Sequence, residues 1–407
     1  FYFSYDDSAS TAGVELTKNA LNNNFLPKAS WGRPWEFLNY ERFQKNSQES
    51  TGLFKVSMGM WKHNDVENSK IQNYELGIHV SAPEIDKLNR RNIVLTLVVD
   101  VSGSMDSPSV LAEDNGRAPT LMDLAKQALT TVHGSLKEGD IINLVQFSDD
   151  ASILLENYKY NPANSLYLKT VEGMTTIAST NLNAGVDLGY ELANQYYDPD
   201  KINRVIMLTD AFANVGEVSP TKISSKTRIN NKEGIYFSGL GFGQDFNEAF
   251  LNKLTEAGRG AYFSVVTRRD AKRAFDERFM ALINVAARNV QFRLDYPIIL
   301  ERKATASEQS SQVRSEVQPT NFSFNTSQYF WEQFATGAEF SLASGKIKLS
   351  VYYQDPETLE KKTEVLEKTI GEILGQDINN IKDAHMITLL TQLMKKQVTK
   401  KQAQAEL

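Results

Sequence analysis

Cysteine is absent from this 407-residue chain. Its absence excludes disulfides, thiolate-bound metals and thiol nucleophiles, and it suits a protein exported from a bacterial cell. Histidine is scarce: the four, at 63, 79, 133 and 385, are scattered along the sequence and form no H-E-x-x-H motif. Also missing are G-x-x-x-x-G-K-[ST] and G-x-S-x-G, which removes the main sequence grounds for a nucleotide hydrolase or a serine hydrolase. Positive charge is in deficit, with 44 Lys and Arg against 50 Asp and Glu. No nucleic-acid partner is therefore expected, because that affinity rests on clustered cations. No apolar run approaches the roughly 20 residues needed to span a bilayer. The chain opens on Phe1 with neither an initiator Met nor a signal peptide, so a removed leader or lipid anchor stays open.

What is present belongs to a globular protein. Hydrophobic residues make up 41% and charged residues 23%, enough apolar material for two or three domains at this length. Residues 92–286 alternate short apolar runs with helical stretches, the pattern of a doubly wound, Rossmann-like α/β domain. Its strands read as "IVLTLVVD" (93–100), "IINLVQFS" (141–148), "RVIMLTD" (204–210), "GIYFSGLGFG" (234–243) and "GAYFSVV" (260–266), with helices at 120–137 and 181–197. The near-continuous hydrophobicity of the first run implies a strand covered on both faces. "GLGFG" lacks the second half of a phosphate loop and reads as a strand end, and "FSDDA" around Asp149 and Asp150 reads as a turn between strands.

The flanks have a period of two instead. Phe54, Val56, Met58 and Met60 share one face, as do Tyr74, Leu76, Ile78 and Val80; Val290, Phe292, Leu294 and Tyr296 repeat the pattern, and so do Ile347, Leu349, Val351 and Tyr353. Strands of one kind on both sides of the α/β segment imply a discontinuous β-sandwich from residues 51–91 and 287–365, with the α/β domain inserted into it. Residues 1–50 read as an N-terminal helical and aromatic segment, and residues 366–407 as a C-terminal helical segment in which Ile387, Leu390 and Met394 recur at helical spacing. The polar stretch 303–321 reads as a loop.

Doubly wound sheets bind ligands at the carboxyl ends of their strands. Asp100 ends the first apolar run there, and Ser102 and Ser104 follow at alternate positions. Their oxygens are hard donors suited to Mg²⁺, Ca²⁺ or Mn²⁺. By itself "DVSGSM" reads equally well as a capped turn. Two later segments favour the metal: "IASTNLNAG" puts Thr180 directly before an amphipathic helix, and "NRVIMLTDA" puts Asp210 at the end of another buried strand.

Asp-x-Ser-x-Ser, a distant Thr before Asn-Leu, and Thr-Asp closing an apolar strand resemble the metal-ion-dependent adhesion site of the von Willebrand factor type A family. The resemblance covers residues 92–286 and fills all five ligand positions, with Asp100, Ser102, Ser104, Thr180 and Asp210. It implies a divalent cation, Mg²⁺ first with Ca²⁺ or Mn²⁺ as alternatives. Ser102, Ser104 and Thr180 would bind the cation directly, and Asp100 and Asp210 in part through water. It also implies a protein partner whose Asp or Glu completes the shell, and no catalytic residue. The chain departs from the family at Ala178 and Ser179, where Gly-Gly is usual, and at Ala211, where Gly is common. A rim for the partner is expected at Met105, Asp106, Glu113, Asp114, Ser179 and Phe212. The wider layout resembles bacterial exported proteins of this family, and more distantly the inter-α-trypsin inhibitor heavy chains, which implies the cell surface or the periplasm of a bacterial envelope. Adhesion and complex assembly are the functions expected. An envelope assembly subunit working with a chaperone ATPase is the alternative, and a metal-dependent hydrolase ranks behind both.

Overall fold

The computed structural model describes every residue except 5–11, 41–42, 44–47, 66–69, 87, 110–117, 178, 211–233, 244–246, 259, 261, 277, 338–341, 357 and 407. Two compact units emerge: residues 85–284, and residues 1–84 together with 285–407.

In chain order the first of these contains β1 (Ile93–Asp100), α1 (Leu121–Ser135), β2 (Ile141–Phe147), β3 (Ala151–Lys159), α2 (Leu166–Glu172) and α3 (Leu182–Gln195). Then follow β4 (Ile202–Thr209), β5 (Tyr236–Phe242), α4 (Glu248–Gly258), β6 (Tyr262–Val265), α5 (Arg268–Phe275) and α6 (Phe279–Ile283). The sheet runs β6-β5-β4-β1-β2-β3. Every pairing is parallel except β2 with β3. All eight residues of β1 are buried, as its unbroken apolar run requires of a strand covered on both faces. At the start of β1, the buried Arg90 donates to Asp140 Oδ1 at 2.9 Å, and the Ile93 N–H donates to the same oxygen at 3.0 Å. From β1 the chain moves to β2 on one side and returns to β4 on the other. The crevice outside the carboxyl ends of β1 and β4 is therefore the switch point of the sheet, where such folds place ligands. β3 is not among the strands read from the sequence: only Leu155 and Tyr158 of it are buried, so this edge strand lacks a strong apolar signal.

Helix α3 lies close on this sheet because two of its residues have no side chain. A Cβ on Gly185 would stand 2.6 Å from Phe147 Cδ1, and one on Gly189 would stand 2.5 Å from Val98 Cγ2. Thr180 and the N-cap residue Asn181 immediately precede α3, so the fit of the helix fixes the height of Thr180 at the edge of the sheet.

The second unit is built on two antiparallel sheets. One orders Gln309–Ser311, Tyr2–Ser4, Val285–Asp295, Lys346–Gln354 and Lys361–Thr369, with Thr320–Ser323 also paired to Val285–Asp295. The other orders Glu301–Thr305, Ser327–Thr336, Gln72–Ser81, Lys55–Asn64 and Glu49–Ser50. Phe54, Val56, Met58, Met60, Leu76, Ile78, Val80, Phe292, Leu294, Ile347 and Leu349 share one core with Phe3, Phe330 and Phe334. Two readings need correction. The segment 303–321 is largely strand and short turn rather than loop, because its polar residues sit at a sheet edge and in pairings with the N-terminus. Residues 2–4 are a strand, not part of a helical segment, and Phe3 is fully buried in the sandwich core.

The outer face of the second sheet is covered as well. Helices Pro34–Tyr40 and Ile378–Met394 pack over it, and Leu38, Ile381 and Ala384 meet Tyr329 and Trp331. The C-terminal helix expected from Ile387, Leu390 and Met394 is present, with Ile387 packed against this cluster and the rest of that stripe less covered. Leu390 is 42% exposed, while the inward positions carry Ile381, Ala384, His385 and Thr388.

Candidate metal centre

The site begins where β1 stops. Beyond Asp100 the chain bends through Val101 and Ser102 into a single turn of 3-10 helix, Gly103–Asp106. Asp100 organises that bend: Oδ1 accepts the Ser102 N–H at 2.9 Å, and Oδ2 accepts the Thr209 hydroxyl at 2.6 Å. The alternate spacing of Ser102 and Ser104 then brings their hydroxyl oxygens within 3.0 Å of each other. Ser102 is buried and Ser104 half-buried, so the pair forms a floor with one open side.

Two further segments reach the same edge. The loop before α3 is pinned at both ends: the Ile177 N–H donates to the Val101 carbonyl at 2.6 Å, and the Asn181 N–H donates to the Ser148 carbonyl at 2.5 Å. Between these anchors lies Thr180, 2% exposed. Asp210, 3% exposed, follows β4, and its charge acts on Asp100 across the switch point.

Burial is the largest influence on Asp100 and the charge of Asp210 the next; together they raise its pKa from 3.8 to about 7, against the hydrogen bonds from Ser102 and Thr209. A buried carboxylate held that high beside a second carboxylate is a place where added positive charge is favourable. The donors nearby are carboxylate and hydroxyl oxygens, with no imidazole or thiolate, which fits a hard divalent cation. Among the described residues no three His, Cys, Asp or Glu side chains are grouped to hold a metal. A cation here would therefore lean on hydroxyls, and two carboxylates would leave part of its charge for another ligand.

The expected rim divides. Asp106 is exposed beside the serines. Met105 is fully buried and offers a partner no surface, because its side chain turns into the core beneath the 3-10 turn. Ser179 is half-buried and holds φ at +66°, a left-handed conformation natural to glycine but costly for serine. Glu113, Asp114 and Phe212 lie outside the described residues. Two contributors escape the sequence reading. Thr209 orients Asp100, and its place one residue before Asp210, at the end of a buried strand, is the signal that could have found it. Ile177, 48% exposed, pairs with Ser102 through an isolated bridge. Nothing in its sequence context marks it.

Residues 95–277 match the family model of the von Willebrand factor type A domain. The uncharacterized protein YfbK of Escherichia coli (strain K12) is 26% identical over 307 residues, 72% of this chain and 49% of that protein. Inter-alpha-trypsin inhibitor heavy chain H3 of Mus musculus is 29% identical over 229 residues, 54% of this chain and 24% of its own. The chain thus spans about half of the first relative and a quarter of the second. Among solved structures, the von Willebrand factor type A protein from Catenulispora acidiphila aligns with a TM-score of 0.48 at 15% identity, covering 86% of this chain and 81% of that one.

Proposed function

We propose, on the premise that residues 95–277 of this chain are a von Willebrand factor type A domain, that the protein binds another protein through a divalent cation held at Asp100, Ser102, Ser104, Thr180 and Asp210. The observation that carries this reading is the paired Ser102 and Ser104 hydroxyls, 3.0 Å apart, beside a buried Asp100 whose charge is opposed by its surroundings. The bound cation would supply positive charge that its own ligands leave incompletely neutralised. Asp100 positions the serine turn through the Ser102 N–H, Thr209 holds Asp100, and Ser104, at the open side, faces the partner. An Asp or Glu of the partner is the group this arrangement attracts. Mg²⁺ is the cation proposed first, since the donors are hard oxygens and few are charged; Ca²⁺ and Mn²⁺ are compatible with the same donors.

The role is therefore recognition and not turnover, and the proposed setting is the outside of a bacterial cell membrane, at the surface or in the periplasm. No described helix is long and apolar enough to cross a membrane. The test is capture from bacterial envelope fractions, using wild-type protein and Asp100→Asn as baits. Partners should be released by EDTA, regained on adding Mg²⁺, and absent from the variant. Partners held equally by both baits, with or without EDTA, would overturn the reading.

A further inference from the structure

Charge is unevenly spread over the second unit. Residues 16–40 and 384–405 together hold seven Lys and Arg and a single acid, Glu36, in a chain whose net charge is −6. Glu36 is buried and spent within the fold: its Oε1 pairs with Arg33 at 3.2 Å, and its Oε2 accepts the Gly13 N–H at 2.5 Å. Lys28, Lys395, Lys396, Lys400 and Lys401 make no ion pair among the described residues.

The fold brings the two segments together. Helix Ala12–Asn22 packs on the 3-10 turn Ala29–Trp31. The backbone that follows lies so close to the end of helix Ile378–Met394 that a Cβ on Gly32 would stand 3.0 Å from the Thr391 carbonyl oxygen and 3.3 Å from Met394 Cβ. Two half-buried tryptophans mark the seam, each beneath a lysine: Lys28 Nζ is 5.2 Å from the Trp31 ring centre, and Lys395 Nζ is 5.5 Å from that of Trp35. Burial, and then the charge of Arg33, lower the Lys395 pKa, with no carboxylate to offset them. An anion from outside the chain would relieve that tension.

Beside these cations are apolar side chains that the fold leaves in water. Phe25, whose N–H donates to the Ala20 carbonyl at 2.8 Å, stays at the end of helix Ala12–Asn22. It is 66% exposed and Leu26 is 94% exposed, while Leu390 and Leu393 are exposed on helix Ile378–Met394. A single exposed apolar residue is ordinary, but several among unpaired lysines mark an interaction surface. At its exposure Leu26 touches almost nothing of its own chain, so it projects and lines no groove. A projecting side chain needs a medium that opens to receive it, which a bilayer surface does. Tryptophan with a cation beside it also suits the boundary between lipid and water. A second copy of this chain is a poor occupant, because a twofold contact sets lysines against lysines.

We propose that this end of the unit is a docking surface for anionic phospholipid, in which Phe25 and Leu26 enter the headgroup layer and the lysines of both segments meet lipid phosphates. The attachment is peripheral, of the kind made by basic amphipathic helices. The chain as a whole is anionic, but at physiological salt charges more than about 8 Å away are screened, so the local cations decide the contact.

Vesicle sedimentation of the full chain tests this. EDTA is present throughout, so that no cation at the candidate metal centre can bridge to a lipid phosphate. Wild type should partition onto vesicles of phosphatidylethanolamine and phosphatidylglycerol in equal parts, leave them as salt is raised, and stay off phosphatidylcholine vesicles. Lys28→Gln/Lys396→Gln should weaken the partition about twentyfold, at about fivefold per cation, and Phe25→Ser/Leu26→Ser should weaken it about tenfold or more. All four positions are exposed, so both variants should keep the wild-type circular dichroism; should the apolar pair not, Leu26→Ser alone takes its place. Failure of wild type to bind the anionic vesicles, equal binding to phosphatidylcholine, or undiminished binding by either double variant would overturn the proposal.

Discussion

Asp100 carries the electrostatic tension of the candidate metal centre. With its pKa raised to about 7 by burial and by Asp210, ionising it inside the fold is unfavourable. In cation-free protein that penalty is absent below about pH 4, grows as the pH rises, and is complete above pH 7, where it amounts to on the order of 4 kcal/mol. Asp100→Asn removes the titration. The variant is expected to be more stable than wild type at pH 8 in EDTA and to show a flatter stability between pH 5 and 8, measured by urea denaturation; equal slopes for the two proteins would contradict the assignment. This carboxylate was legible as a ligand in the sequence only beside the segments of Thr180 and Asp210, because "DVSGSM" by itself reads equally well as a capped turn. Ser179 was not: its left-handed φ depends on how the loop is tied to Val101 and Ser148, contacts that join segments up to 76 positions apart. Met105 misled for the opposite reason, since adjacency to Ser104 in sequence says nothing about which way a 3-10 turn points its side chain.

Helix α3 links packing to the site at the level of elements. Its seat on the sheet depends on Gly185 and Gly189, and the residue that would donate the third hydroxyl, Thr180, lies two positions before its first turn. Gly189→Ala drives a methyl into Val98, which should cost about 1–3 kcal/mol as overpacking. By lifting the helix it should also weaken any response to Mg²⁺, as read by calorimetric titration; an unchanged stability and an unchanged titration would show that α3 does not set the height of Thr180. The parallel strands and both flanking pairs of alternating strands could be read from periodicity, because their burial follows their hydrophobicity. The edge strand Ala151–Lys159 and the polar strands between 301 and 311 could not, since little of either is buried and their place comes from pairing partners. Periodicity marked helix Ile378–Met394 but only part of its buried face, since Ile387 packs on the sheet. That face meets a sheet surface already furnished with Glu75, His79 and Trp331, so it carries Ala384, His385 and Thr388 and leaves Leu390 outside.

Across the whole chain, the two units divide the chemistry. All five proposed cation ligands lie in residues 85–284, whereas the lysine-rich apolar surface lies wholly in the other unit, as does Glu75, whose Oε1 is 2.9 Å from His63 Nε2 and 2.8 Å from His385 Nδ1. Two of the four scattered histidines, His63 and His385, thus meet at Glu75 only in three dimensions, 322 positions apart, while the oxygen ligands announce themselves through three short segments at strand ends. A ligand that binds only the native state raises its stability by about 2.7 kcal/mol at a hundredfold excess over its dissociation constant. Thermal denaturation of wild type and Asp100→Asn, each in EDTA and then in saturating Mg²⁺, Mn²⁺ or Ca²⁺, therefore tests the cation claim most directly. Wild type should unfold at a higher temperature with at least one of the three ions, and Asp100→Asn should not respond. No shift of wild type with any ion, or an equal shift in both proteins, would contradict a cation held at Asp100.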